Sequence, residues 1–550
     1  MLDIIYQDHI WKKNYMDKND KIIGKGTWID KLALEMIDRE KQIGRNIKMM
    51  RVESGLGASG IPHIGSLGDA VRSYGVKLAI ENFGYKSELI TYSDDMDGLR
   101  SVPKGFPEYL KKDIGKTVST ITDPFGCHDS YGMHMSSLLL DGLDKLGIKY
   151  IFKNANEIYK KNLLQNEIDK ILSNHVKIGL KIKEITGQTK YNKYLPYFPV
   201  CDNCGKIYTT TAYEYIIPEK KVKYQCNDSK IGDKIINGCK HEGESSIIND
   251  LGKLAWKVEF AARWKALDIR FEAYGKDIMS SVSTNDWVSD IVLGYKHPYH
   301  VKYEMFLDKT GKKISKSSGN IVTHQNWLRY GTVKSILLLL YKRITGSREL
   351  GLSDIPSLMC EYNDIENIFF GDHKQHDNQS KIIKLKGLYE YVNLLNPPEN
   401  KPPHIDYRLL VKLSKIFKEN RINMISEKLI EYGIISNSTP HIENLINMAG
   451  KYADDFELES IDINLDYKMK NALNDFAKII IQRDNDDIKN IIYNITKTHE
   501  IKIKDFFKIL YQIILSSNNG PKISKLINDI GRQQVIKNIY EQLNKNEKQK

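Results

Sequence analysis

The sequence predicts an α/β chain: a parallel-sheet domain, interrupted by a cysteine-bearing insertion and followed by a helical C-terminal half. Three observations carry this. Residues 47–52 look like a strand that runs through a glycine-rich turn into helical periodicity, and a second strand follows at 88–92. Strand, turn, helix, strand is the parallel α/β unit. Cys201, Cys204, Cys226 and Cys239 crowd into one segment with few helical signals. Beyond residue 350 the chain is helical in texture and poor in strands.

Each element follows from local pattern. Residues 1–45 form a polar, helical extension with Trp28, Leu32, Leu34 and Met36 as packing points. The first strand ends in Glu53-Ser54-Gly55-Leu56-Gly57-Ala58-Ser59-Gly60. A helix is expected to begin near Pro62, because Ile64, Leu67, Val71, Tyr74 and Leu78 recur at helical spacing. Gly84 fits a helix stop, and the second strand leads into Ser93-Asp94-Asp95-Met96-Asp97. Helical stretches alternate with short connections over 130–190, and helical spacing resumes from Trp256 through Trp264. Two more strands are expected at 271–274 and 299–306, the second running into Asp308-Lys309-Thr310-Gly311-Lys312-Lys313-Ile314-Ser315-Lys316-Ser317. Pro397, Pro398, Pro402 and Pro403 mark a linker inside the helical half, and the tail from Asn544 is expected to fray.

A chain of 550 residues suggests three or four domains at roughly 100–200 residues each. Apolar residues at 41% suffice for sizeable cores, and a mean hydropathy of −0.45 describes a soluble chain. No apolar run approaches the ~20 residues of a membrane helix. Met1-Leu2-Asp3-Ile4 shows no basic head before an apolar stretch, so no secretory leader and a cytoplasmic location are expected. The net charge of +12 suits a polyanionic partner, although an AT-rich genome also enriches lysine. In a cytosolic chain, clustered cysteines point to metal before disulfides.

Two segments suggest phosphate chemistry. The glycine turn before His63-Ile64-Gly65-Ser66 lets backbone approach a ligand, and the helix start offers N–H groups to phosphate. Lys312-Lys313-Ile314-Ser315-Lys316-Ser317-Ser318-Gly319-Asn320 offers flexible ammonium groups and hydroxyls that can follow phosphate charge. Alone, the first is more often a structural turn than a site, and the second more often a solvated basic loop. Together they are stronger, because loops at the carboxyl ends of parallel strands meet over one crevice.

These segments resemble the catalytic domain of class I aminoacyl-tRNA synthetases. His63-Ile64-Gly65-Ser66 matches their HIGH signature with Ser66 in place of the last histidine, and Lys313-Ile314-Ser315-Lys316-Ser317 matches KMSKS with Ile314 for methionine. Asp94-Asp95-Met96-Asp97-Gly98-Leu99-Arg100, Asp123-Pro124-Phe125-Gly126, Tyr131-Gly132-Met133-His134, Trp256-Lys257-Val258-Glu259, Gly275-Lys276-Asp277 and Tyr303-Glu304-Met305-Phe306-Leu307 narrow the resemblance to class I lysyl-tRNA synthetases. Ile278 stands where some relatives carry histidine. The resemblance covers about residues 45 to 345.

It implies a Rossmann-like (HUP-type) parallel-sheet catalytic domain with a zinc-knuckle-bearing insertion, followed by an all-α anticodon-binding region. The implied divisions are a helical extension at 1–45, a first catalytic half at 46–135, and an insertion at 136–250 with its knuckle at 197–246. A second catalytic half at 251–325, a helical stem-contact region at 326–395 and an all-α anticodon-binding domain at 396–550 follow. The implied activity is ATP-dependent attachment of L-lysine to tRNA(Lys) through lysyl-adenylate, in a monomer. His63, Lys313 and Lys316 would be catalytic. ATP would contact Ala58, Ser59, Gly60, Pro62, His63, Gly65, Ser66, Lys313, Ile314, Ser315, Lys316 and Ser317, with Mg2+ beside it. Lysine would contact Gly55, Gly57, Asp95, Trp256, Asp277, Tyr303 and Glu304; a core role for Trp256 and capping roles for Asp94, Asp95 and Asp97 are the competing readings. Cys201-Asp202-Asn203-Cys204-Gly205 forms one half of a zinc knuckle, with Cys226 and Cys239 completing four ligands or His241 replacing one. Competing functions are a class I synthetase for glutamate or arginine, a small-acid adenylyltransferase, and a catalytically inert tRNA-binding paralogue.

Overall fold

A computed structural model describes residues 22–231, 234–304, 306–311, 322–372, 378–457, 463–482 and 488–548. The first helix, α1 (Trp28–Gln42), starts at Thr27, whose hydroxyl and backbone N–H exchange hydrogen bonds with Asp30. It buries Ile29, Leu32, Ala33, Met36 and Ile37, while Leu34 lies on the flank. Next come β1 (Met49–Gly57), α2 (Ile64–Asn82), β2 (Lys86–Asp94), α3 (Tyr131–Lys145) and β3 (Ile151–Asn154). Gly84, at φ +88°, ends α2 as the sequence suggested. Three helices at 155–186 lead to an antiparallel sheet of β4 (Thr210–Ile216), β5 (Lys221–Cys226) and β6 (Glu242–Ser246). The chain then returns through α4 (Trp256–Ala266), β7 (Ile269–Gly275), α5 (Met279–Trp287) and β8 (Tyr299–Tyr303).

The central sheet has the order β8-β7-β1-β2-β3, parallel throughout. The chain leaves β1 toward β2 on one side and later resumes at β7 on the other. Such a reversal opens a crevice at the carboxyl ends of the two strands. The strand expected at 299–306 divides: β8 stops at Tyr303, because β7 ends opposite it at Gly275 and turns into a 3-10 segment. The short β9 (Phe306–Leu307) pairs instead with Arg348–Glu349. Met305 lies outside the described residues.

One apolar core joins α1, α2 and one side of the sheet to the C-terminal helices, and a second joins the opposite side to the insertion. Beyond residue 350 the described regular elements are helical, broken by the proline segment before Tyr407–Ile416. The last helix, Arg532–Lys548, is anchored near its start by buried Val535, Ile536 and Ile539. Among the described residues, no helix is long and apolar enough to cross a membrane.

Candidate active site

A cavity of about 260 Å³ opens at the carboxyl ends of β1 and β7. Gly55, Gly57, His63, Gly65, Ser66, Trp256, Asp277, Tyr303 and Glu304 line it, as does Ile278. The helix begins at Ile64, near Pro62 as expected: His63 is the cap, and its Nδ1 accepts the Gly65 N–H at 3.0 Å. That bond places the ring proton on Nε2, a donor. Gly65 is required, since a Cβ there would come within 2.7 Å of the imidazole. At Gly57 a Cβ would meet nothing within 4 Å, so the strand end leaves room for a ligand. Ala58 is instead packed in a small core with Tyr131, whose hydroxyl donates to the Ser59 carbonyl at 3.3 Å. Ala58, Ser59, Gly60 and Pro62 do not line the cavity.

Lys312, Lys313, Ile314, Ser315, Lys316 and Ser317 lie outside the described residues. Their flanks do reach the crevice. Phe306 lines the cavity, and the Val322 carbonyl accepts the Ile64 N–H at 2.8 Å. The histidine turn and the flanks of the lysine-bearing segment therefore share one end of the sheet.

The cavity floor is a buried ionic network. Asp94 Oδ2 accepts from Lys253 Nζ at 2.5 Å and Trp256 Nε1 at 2.8 Å, while its buried Oδ1 has no hydrogen-bond partner. Lys253 also meets Glu259 at 3.1 Å and Asp97 at 3.3 Å. Arg263 meets Glu53 at 2.6 Å and Glu272 at 3.2 Å. Asp69 Oδ2 accepts the Gly55 N–H at 3.0 Å, and its Oδ1 is unpartnered. Burial raises Asp69 to about 7 against the pull of that N–H, and raises Glu53 to about 8 against the pull of Arg263. Glu53, Asp69, Asp94, Asp97, Glu259 and Glu272 outnumber Arg72, Lys253 and Arg263, all buried. The site carries an excess of acid suited to a cationic ligand.

Asp95 does not line this cavity. It is buried with Oδ1 accepting the Asn156 N–H at 2.8 Å, and the lining carboxylate is its neighbour Asp94. Sequence reasoning also missed Asp69, Arg72, Lys253, Arg263 and Glu272. The helical position of Asp69, on the first turns after His63, was the one local signal available.

In the insertion, the sulfurs of Cys201, Cys204, Cys226 and Cys239 lie within 4.8 Å of one another, with Cys201–Cys239 at 3.6 Å and Cys204–Cys226 at 3.7 Å. A tetrahedral ion with ~2.3 Å bonds spaces its sulfurs by about 3.8 Å, so the four thiols could hold one. His241 instead stands 2.7 Å from Asp202. A second cluster, absent from the sequence reading, gathers Asp123, Cys127, His128 and His134 within the same 4.8 Å limit. Burial opposes ionisation of Asp123, yet the N–H groups of Phe125, Cys127 and His128 and the Cys127 thiol hold it down to about 2.

The family described as tRNA synthetases class I (K) matches residues 26–393, across the whole sheet and both cavity walls. The chain belongs to the class I lysyl-tRNA synthetase family. A lysine–tRNA ligase of Cenarchaeum symbiosum (strain A) is 56% identical over 94% of this chain and 98% of that protein. A lysine–tRNA ligase of Rickettsia bellii (strain OSU 85-389) is 30% identical over 89% and 93%. Among solved structures, a glutamate tRNA ligase from Elizabethkingia meningosepticum CCUG26117 aligns with 90% of this chain and 99% of that one, at 13% identity and a TM-score of 0.31, too distant to bear on function. Membership of the family accounts for the crevice shared by the His63 turn and the flanks of the lysine-bearing segment.

Proposed function

We propose that the chain attaches L-lysine to tRNA(Lys) through a lysyl-adenylate made from ATP. The observation that carries this is the acid-rich cavity between His63 and the flanks of the two-lysine segment. A substrate with two ammonium groups matches its surplus of acidic groups, among which Glu53 and Asp69, raised by burial, would ionise against the incoming charge. Of the two arginines lining the cavity, Arg263 is already held by Glu53 and Glu272, and Arg72 lies over the Tyr303 and Phe306 rings. The relatives named as lysine–tRNA ligases align along nearly the whole chain.

In the first step, a lysine carboxylate oxygen bonds to the α-phosphorus of ATP, and the bond to the β-phosphate oxygen breaks to release pyrophosphate. In the second, a ribose hydroxyl of the tRNA's terminal adenosine attacks the lysyl carbonyl, AMP leaves, and the hydroxyl proton passes to solvent. His63 Nε2–H donates to the phosphates, while Lys313 and Lys316 steady the departing pyrophosphate, with Ser315 and Ser317 in support. Asp94 Oδ1 and Asp69 Oδ1 receive ammonium groups of lysine. Trp256 and Tyr303 supply aromatic walls, and Gly55 and Gly57 leave space for the backbone end. Mg2+ accompanying ATP would offset phosphate charge. Zinc suits the four cysteines, where it would brace the insertion. The setting is cytoplasmic and a monomer suffices.

Charging of purified tRNA(Lys) with labelled lysine, and with each other amino acid in parallel, tests the proposal. Lysine alone should be esterified. Selective charging with glutamate or arginine would assign the site to another substrate, and tRNA binding without any charging would make the chain an inert paralogue.

A further inference from the structure

Trp256 forms one wall of the substrate cavity, and its Nε1 bond to Asp94 Oδ2 leaves the other carboxylate oxygen for the ligand. Behind the indole lies a second cavity of about 320 Å³, so the ring has room to swing backward. Arg100 lines that space, with its guanidinium carbon 5.5 Å from the Trp256 ring, within cation–π range. Nearly half of the Arg100 side chain is exposed, and an arginine so placed gains little from a single ion pair. This one is tied twice. Its Nε donates to the Tyr208 hydroxyl at 3.0 Å, and its Nη2 donates to Asp97 Oδ2 at 3.1 Å. The other Asp97 oxygen accepts from Lys253, which also holds Asp94. Arg100 therefore meets the pocket network at two points, Trp256 and Asp97, without lining the pocket itself.

Tyr208 is itself fixed from the insertion. Its ring lies against Gly98, where a Cβ would come within 2.7 Å of it, and the Ile207 N–H donates to the Gly115 carbonyl at 2.8 Å. Tyr208 stands four positions after Cys204, and the hydroxyl of its neighbour Thr209 lies 3.1 Å from the Cys226 sulfur. A line of contacts thus runs from the cysteine cluster through Tyr208 and Arg100 to Trp256 and Asp94. We propose that Arg100 is a positioning residue for the lysine pocket: clamped by Tyr208, it keeps the Trp256 indole in the cavity wall and so keeps Asp94 Oδ1 turned to the ammonium group. The inference rests on the lysine-charging function proposed above. It gives the insertion a part in amino-acid selection, because one of its hydroxyls steadies a wall of the pocket.

The test measures lysine-dependent pyrophosphate exchange by the full-length protein with tRNA present, beside thermal melts of each variant. In Arg100→Met the KM for lysine should rise roughly tenfold, the scale of one lost cation–π contact, while kcat and the KM for ATP stay within about twofold. Arg100→Lys keeps the charge beside Asp97 but loses the planar fork, so it should restore the melting temperature without restoring the lysine KM. Trp256→Phe removes the bond to Asp94 through which Arg100 acts, and adding Arg100→Met to it should raise the lysine KM by less than about twofold more. Fully multiplying effects in that double variant, equal rises in the two KM values, or a wild-type lysine KM in Arg100→Lys would each overturn the assignment. Should Arg100→Met melt early, Tyr208→Phe removes only the hydroxyl and should raise the lysine KM about threefold; an unchanged value there overturns the assignment as well. A wild type without lysine-dependent exchange would sink the proposed function, whereas normal wild-type exchange with an unchanged lysine KM in the variants would sink the positioning role alone.

Discussion

Asp94→Asn and Asp95→Asn alter adjacent residues, yet the structure assigns them opposite consequences. Asp94 Oδ2 is held by Lys253 and Trp256, leaving the buried Oδ1 without a partner at the cavity. An asparagine can keep its oxygen toward Lys253 and Trp256, which turns an NH2 group toward the ligand. The ammonium then loses a charge-assisted hydrogen bond worth about 1.5–3 kcal/mol, or roughly 10- to 150-fold in lysine affinity. Lys253 retains Glu259 and Asp97, so the fold should survive. Asp95 faces away, and burial raises it to about 7, against the pull of the Asn156 N–H. A neutral amide there changes little that lysine meets, and affinity should stay within about twofold. Calorimetric titration with lysine, beside thermal melts of both variants, measures the contrast. Wild-type affinity in Asp94→Asn, or equal losses in the two variants, would refute the placement of Asp94 at the ligand.

Further expectations follow from the same network. Asp69, at about 7, must lose its proton to pair with an ammonium group, so lysine affinity should rise between pH 6 and pH 8, with proton release seen as a buffer-dependent heat; Asp69→Asn should flatten the profile. The folded chain holds protons on Glu53, Asp69 and Glu259 that the unfolded chain gives up above pH ~4.5, so without lysine the melting temperature should fall as pH rises through 7 to 8. Lys253→Met strands buried carboxylates at a cost of about 3–5 kcal/mol, read as an early unfolding transition in denaturant. Metal analysis should find Cys226→Ser one zinc poorer than the wild type, while His134→Ala leaves that ion in place. Lys316→Ala should slow adenylate formation by roughly 10²–10³, measured by lysine-dependent pyrophosphate exchange with tRNA present.

Sequence pattern revealed what is local. Ile64, Leu67, Val71, Tyr74 and Leu78 recur on one helix face, and all are buried. The four cysteines announced their own cluster. The acids of the pocket were harder, and Asp94 shows why. Ending the second strand at Tyr92 left the following carboxylates without a register. The strand in fact runs through Asp94, and side chains alternate along a strand, so Tyr92 and Asp94 face the cavity together while Asp95 turns the other way. Lys253 was beyond reach for a different reason: it meets Asp94 across 159 positions, and no local periodicity encodes such a pairing. The Asp123 cluster was illegible because Asp123, Cys127, His128 and His134 lack the paired Cys-x-x-Cys spacing that marks a metal site in sequence.

Burying Lys253 and Arg263 beneath a pocket for a cation looks self-defeating, but the chemistry runs the other way. A cluster of buried carboxylates without internal cations would take up protons, as Glu53 and Asp69 already tend to do. The protonated pocket would then accept neutral side chains as readily as lysine. Lys253, bridging Asp94, Asp97 and Glu259, offsets part of that repulsion and fixes the three carboxylates in place, while leaving Asp94 Oδ1 to the ligand. Arg263 does the same for Glu53 and Glu272. Selectivity for a cationic substrate therefore depends on the protein's own buried cations, which keep enough of the acid ionised for the incoming ammonium groups to complete the balance.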